Sequence, residues 1–382
     1  MNSTAYPDPM DRPAGGRDTR LDAIRGLMLI LMTVDHFPGI LISYVQNSVG
    51  FVTAAEGFIF LSGYVAGFCY LRTLVQKGKW AVVGRAAGRL RTIYVFQICT
   101  FLIVFCVMAG MPSIPAWAAS AGFGQSAYAH PLQTLLQTAV LARQPMYFDI
   151  LPMYMAFFLL VPAVIFCLRR KAWWMVLLAS ATVWLLTQAG ITDALKNHSA
   201  GVMTQYLGVM LGYFNIFGWQ VLFYFGMVFG YYRSENIPGL GFGRKGFFVV
   251  AALAVVMFLF RHGLWPHSNV FDSEFMTGIH RLGPVRVLNF ALCAVILSRP
   301  KIWPRRALWT RLLSLLGRHS LSVFSFHVVL EYLARRWIVP HAWASQTTLA
   351  VLAVPIAALL YLPALVAEAV KRPPAPAKLA AH

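Results

Sequence analysis

The chain has 382 residues, 59% of them hydrophobic and 12% charged, with a mean hydropathy of +0.64. That charged share is about half of what a soluble domain carries, which excludes a soluble globular protein. The net charge of +19 would point to nucleic acid in a soluble domain, but here the basic residues fall in short loops between apolar runs. There they set topology and face anionic membrane lipid, so nucleic acid is excluded as a partner.

Residues 1–20 are polar and rich in Pro, Gly and Asp, with no apolar core before a small-residue cleavage site. They read as a disordered cytoplasmic tail rather than a cleaved signal. Residues 21–370 form the membrane domain and 371–382 a second cytoplasmic tail. The fold class is an all-α polytopic membrane protein with about ten transmembrane helices. The predicted spans are Leu21–Ile42, Gly50–Leu74, Ala86–Ala109, Phe148–Leu168 and Ala172–Ala189 in the first half. Phe214–Tyr232, Phe247–Phe260, Pro284–Leu297, Leu312–Leu333 and Thr347–Val370 complete the set.

Basic residues concentrate in alternate loops, from Arg17 and Arg20 through Arg72–Arg91, Arg169–Lys171 and Arg299–Arg318 to Lys371 and Arg372. The positive-inside rule then places both termini in the cytoplasm, and an even span count agrees. Long loops on the outer face (Gly110–Gln144, Gly190–Asn215 and His262–Gly283) suit handling of an extracytoplasmic substrate. The last of them concentrates His262, His267, Asp272, Glu274, His280 and Arg281. The five cysteines show no C-x-x-C and no clustered histidines, so disulfides, zinc and other metals are not expected.

Ionisable groups at membrane depth are costly and mark working sites. The first span carries Arg25 and His36, which lie within about 20° of each other on a helix and roughly 16 Å apart along it. Asp35 adjoins His36, and Glu56 in the second span reaches a similar depth. A carboxylate beside an imidazole fixes its tautomer and lets it act as a general base. Ser62 reads as a packing residue in a small-residue stretch, although a nucleophilic serine is conceivable there. Arg85, Arg89 and Arg91 stand at the cytoplasmic entry of the third span, level with Arg25, and guanidinium groups suit a phosphorylated ligand. His327, Gln220, Asp149 and Arg286 add in-membrane polar groups, and Glu331 lies one turn beyond His327. No P-loop, H-E-x-x-H or G-x-S-x-G motif is present.

Asp22-AIRGL with Asp35-His36-Phe37-Pro38, Ala54-AEGFIFLSGY, Tyr147-FDILPMY, Trp219-Gln220 and Leu282-GPVRVLNF resemble the OpgC family of bacterial inner-membrane proteins. That family succinylates osmoregulated periplasmic glucans. More distantly, the chain is similar to the broad superfamily of membrane O-acyltransferases. The shared features are the Arg25/His36 spacing, Phe58–Gly63, and Leu316–His327 with its LG-x-x-S-L-x-x-F-x-x-H pattern. The spacing of Arg85, Arg89 and Arg91 departs from that superfamily's paired arginines three apart.

The resemblance implies an acyl-CoA donor, succinyl-CoA above all, as substrate, with no permanently bound cofactor. Arg25 and the Arg85–Arg91 group are then expected to hold the donor phosphates. His36 serves as base with Asp35 or Glu56 orienting it. His327, Gln220, Asp149 and Ser62 are candidates for stabilising the oxyanion or binding the acceptor. Arg281 and Arg286 are candidates for a carboxylate on the acyl group. The expected partners are a periplasmic glucan acceptor, the donor and membrane lipids, with a homo-oligomer left open. A proton-coupled transporter using the same Asp/His/Glu set is the rival from another class.

Overall fold

The structure is a computed structural model, and it describes residues 18–37, 39–46, 48–109, 116–235, 243–264, 273–299, 302–304, 307–340 and 345–371. Most of both expected tails, and His267 and Asp272 of the outer loop, lie outside the described residues. The regular structure of the described residues is all helical, with no strand. In chain order the elements are α1 Thr19–His36, α2 Leu41–Val45, α3 Ala54–Met108, α4 Ala116–Ala118, a π-helical turn Ala119–Phe123, α5 Gln125–Ala129 and α6 Pro131–Ala139. There follow α7 Ile150–Arg169, α8 Trp173–Gln188, α9 Ile191–Asn197, α10 Val202–Met210, α11 Ile216–Ser234 and α12 Arg244–Arg261. The last are α13 Glu274–Thr277, α14 Pro284–Leu297, α15 Leu308–Arg318, α16 Ser320–Trp337, α17 Gln346–Leu359 and α18 Tyr361–Lys371.

The helix ends follow from local chemistry. Asp18 caps α1, accepting from Arg20 N at 3.1 Å. Thr53 and Glu56 form a capping box at the start of α3. Asn215 caps α11, and Pro284 opens α14. Although α3 runs for 55 residues, it is not one rod. Gly78 breaks it with φ 80° and ψ 179°, and the Tyr70 hydroxyl reaches the carbonyl of Arg85 at 3.4 Å. Fifteen residues of straight helix would separate those groups by about 22 Å, so the chain folds back at Gly78. The two arms correspond to the second and third predicted spans.

Among the described residues three elements are long and apolar enough to cross a membrane: Ala54–Met108, Ile150–Arg169 and Gln346–Val370. The count reaches five if α8 with α9 (bent by 60°) and α15 with α16 (bent by 85°) each make one span. The ninth predicted span, Leu312–Leu333, is therefore not a single straight helix. The reason is the packing of α15: Gly317 lies on the backbone of Asp22, and Gly26 on the backbone of Leu313, so α15 follows α1 and the chain turns at His319. His319 Nε2 lies 2.9 Å from Glu368 Oε1 on α18, which holds the corner.

The core joins α1, both arms of α3, α7, α11 and α16, with α11 packed on the first arm of α3. Gly63 faces the carbonyl of Phe223, and Gly226 faces that of Phe60, so the backbones approach more closely than any β-carbon would permit. Helices α12 and α14 form a smaller cluster with Phe51. Large apolar side chains such as Leu159, Leu178, Phe248, Val255 and Val351 point outward, as a lipid-facing surface requires.

Candidate functional site

His36 is the last residue of α1 and His327 lies mid-helix in α16. His36 Nδ1 lies 3.0 Å from His327 Nε2. His327 Nδ1 in turn lies 3.0 Å from the carbonyl oxygen of Phe324. A carbonyl only accepts, so Nδ1 of His327 carries its proton and Nε2 of the neutral ring is an acceptor. His36 must then donate from Nδ1, which leaves Nε2 of His36 with an uncommitted lone pair. The network thus assigns the tautomer that a general base needs.

Tyr147 stacks on the His36 ring with centroids 4.4 Å apart, and its backbone is left-handed (φ 71°). A bulky aromatic residue rarely adopts that conformation, and such strain gathers at functional sites. Arg335, near the end of α16, donates from Nη2 to the carbonyl of His36 at 3.1 Å and to the Tyr147 hydroxyl at 2.9 Å. Glu331 is fully buried, and its carboxylate takes no hydrogen bond among the described residues.

Toward the Arg20 end of α1 lies a cavity of about 730 Å³. Arg25, Arg72, Arg85, Arg89, Arg233 and Arg318 line it, with Ser62 and the aromatic side chains of Phe58, Tyr154 and Phe324. Arg25 donates to the carbonyl of Leu61 at 3.0 Å. Arg85 donates to the carbonyl of Cys69 at 3.2 Å and to Thr73 Oγ1 at 2.5 Å, and its guanidinium lies over Tyr70. Arg89 lies over Phe158. Arg91 is exposed and is not part of the lining. Phe324, whose carbonyl oxygen holds His327, is among the residues that line the chamber.

The other predicted residues separate by their partners. Glu56 pairs with Arg286, while its second oxygen accepts from Thr53 N at 2.9 Å and Thr53 Oγ1 at 2.8 Å. Asp35 faces a separate cavity of about 330 Å³ between α1, the first arm of α3 and α14. Neither carboxylate hydrogen-bonds the His36 ring; His327 takes that place among the described residues. The structure thus brings His327, rather than the expected Asp35 or Glu56, within hydrogen-bond distance of the His36 ring. Gln220 is spent on Ser180, accepting from its hydroxyl at 2.7 Å and donating to its carbonyl at 2.8 Å, so it ties α8 to α11. Ser62 donates back to the carbonyl of Phe58 at 2.9 Å. Asp149 precedes α7 without capping it through its side chain. Arg281 pairs with Asp193 on the loop side, away from His36, so neither Arg281 nor Arg286 is an unpaired cation.

The sequence analysis gives neither Arg335 nor Tyr147 a role at the site. The available signal was the spacing: Arg335 follows His327 by two turns in the same helix. Among the described residues no cluster of three or more His, Cys, Asp or Glu side chains is disposed to hold a metal ion.

A family model described as OpgC protein matches residues 17–372, nearly the whole chain. No curated protein and no solved structure matches it.

Proposed function

The chain belongs to the OpgC family, and from that premise we propose that it transfers an acyl group, succinyl, from acyl-CoA to hydroxyls of periplasmic glucans. The coarse class, an acyltransferase acting on glucans, follows from the family. In this reading the protein crosses the bacterial inner membrane about ten times with both termini in the cytoplasm, as its loop charges favour.

The observation that carries the mechanism is the stack of chamber, Phe324, His327 and His36. The donor phosphates sit among Arg25, Arg85 and Arg89, where guanidinium forks match phosphate oxygens. The pantetheine arm runs past Phe58 and Phe324 and brings the thioester to His36. The acceptor hydroxyl approaches from the opposite side. Nε2 of His36 takes its proton as the hydroxyl oxygen bonds to the thioester carbon. The carbon–sulfur bond then breaks, and the leaving thiolate takes the proton from the imidazolium. The products are an ester and free CoA, and His36 returns to its starting tautomer. His327 holds the ring throughout, as the orienting group of a triad does. His327 and Gln220 are both committed to other hydrogen bonds, which argues against either as the oxyanion donor.

Purified protein in lipid nanodiscs tests this reading. It should bind CoA by calorimetry, and His36→Ala should keep that binding while lowering transfer to a glucan acceptor by about 10²- to 10⁴-fold, the usual worth of a general base. Undiminished transfer by His36→Ala would refute the mechanism. Proton-driven uptake without CoA binding would favour a transporter.

A further inference from the structure

We propose that Arg335 reads the far end of the transferred acyl group, selecting acyl chains that end in a carboxylate. The inference rests on the acyltransferase reading and deepens it.

The first ground is the state of the guanidinium. Nη2 of Arg335 is held by the His36 carbonyl and the Tyr147 hydroxyl, both neutral acceptors. Nε is buried and has no hydrogen-bond partner among the described residues. No ion pair within 4.0 Å joins Arg335 to a carboxylate of the described residues. Arg281 and Arg286, by contrast, are each neutralised by an acid of the chain itself. A buried N–H of a charged group left without an acceptor is costly, and such a group calls for an explanation. A ligand carboxylate supplies one by accepting from Nε–H in a charge-assisted hydrogen bond, while both N–H bonds of Nη2 stay with the His36 carbonyl and the Tyr147 hydroxyl.

The second ground is position. The arginine chamber lies on one side of the His36–His327 pair, beyond Phe324. Arg335 follows His327 by eight residues along α16, so its backbone is about 12 Å farther from that chamber. Its side chain folds back to the His36 carbonyl, and its guanidinium carbon lies 5.9 Å from the Tyr147 ring that stacks on His36. A donor anchored by its phosphates in the chamber, with its thioester at His36, projects the end of its acyl chain toward Arg335.

The third ground is Glu331, one turn before Arg335 on the same helix and fully buried. Without a ligand it is the acid nearest in sequence to Arg335, yet the two do not close into an ion pair. The guanidinium is instead turned toward His36 and Tyr147.

The chemistry of transfer is unchanged. The carbon–sulfur bond breaks, the carbon–oxygen bond forms, and one proton moves from hydroxyl to thiolate through His36. The distal carboxylate stays on Arg335 and changes no bond. Arg335 is a specificity residue, in contact with the acyl group but outside the bond exchange.

The test compares two donors of equal chain length in nanodisc-embedded protein: succinyl-CoA, and butyryl-CoA, which lacks the carboxylate. Wild type should prefer succinyl-CoA. Arg335→Gln should lower kcat/KM for succinyl-CoA by roughly 10- to 100-fold, the worth of a charged hydrogen-bonded pair, and leave butyryl-CoA within about threefold. Arg335→Lys should recover part of the preference, since it restores the charge without the planar guanidinium. Equal loss with both donors would assign Arg335 to oxyanion stabilisation or folding and overturn the proposal. Should Arg335→Gln not fold, the wild-type comparison still decides: equal use of both donors overturns the assignment. Transfer from neither donor overturns the acyltransferase reading itself.

Discussion

His327→Phe is the substitution that isolates the orienting role of the second histidine. It keeps an aromatic ring of similar breadth against Phe324 but removes the acceptor 3.0 Å from His36 Nδ1. Two costs follow. A buried N–H loses its partner, at about 1–3 kcal/mol. The His36 ring is also freed to place its proton on Nε2, the wrong nitrogen for a base. Taken as a barrier increase of that size, kcat should fall by roughly 10- to 100-fold, since each 1.4 kcal/mol is about tenfold. His327→Gln should retain much of the activity, because its amide oxygen can stand where Nε2 stood. Donor binding should not change in either variant, as His327 does not line the arginine chamber. The assay is single-turnover transfer from labelled acyl-CoA, with CoA affinity measured alongside. A His327→Phe protein with kcat within twofold of wild type would show that the imidazole does not fix His36. A loss of CoA affinity equal to the loss in kcat would place its effect in the fold.

Three further outcomes follow from other contacts. Arg25→Gln and Arg89→Gln should each weaken CoA binding by about tenfold or more, whereas Arg91→Gln, outside the chamber, should stay within twofold in the same calorimetric titration. Glu56→Gln leaves the buried Arg286 guanidinium uncompensated and should cost about 3–5 kcal/mol of stability, seen as a lower thermal midpoint in detergent; Glu56→Gln with Arg286→Met should recover most of it. Asp18 shows the sign of a pH effect. Burial pushes its carboxyl up, but the hydrogen bond and charge of Arg20 and the charge of Arg233 outweigh burial and hold it below its ordinary 3.8. Its stabilising share is therefore present above that value and lost as the pH falls through the lower folded one. Asp18→Asn should flatten the acid limb of a stability profile by about 1 kcal/mol, and an unchanged limb would remove Asp18 from the account.

The helices and the histidines were legible in the sequence; the partners were not. Hydropathy places α7, α11, α12 and α14 to within a few residues, because an apolar run bounded by loop charge is a one-dimensional signal. The turn at Gly78 was legible for the same reason, as a basic interval between two apolar runs. The corner at His319 was not, since it is set by Gly317 meeting the backbone of Asp22, nearly three hundred residues away in the chain. At the site, equal depth suggested Glu56 for His36, but depth fixes one coordinate of three. Glu56 faces α14 and Arg286, while His327 approaches His36 from α16. Arg335 escaped notice because charge at a helix end is ordinarily topological, and its turn back to His36 is a rotamer that no spacing rule encodes.

Arg25 and His36 stand on one uninterrupted helix. Their separation along its axis, roughly 16 Å, is therefore fixed by backbone geometry rather than by loops. In the proposed mechanism this makes α1 a ruler laid beside the donor, measuring from phosphate to thioester and admitting only carriers whose arm has that length. A single residue inserted between the two marks would lengthen the scale by about 1.5 Å and swing His36 through about 100°, out of register with His327. Deletion would do the reverse. Natural variation in acyl length should therefore be accommodated beyond the ruler's end, on the Arg335 side, while the carrier stays constant.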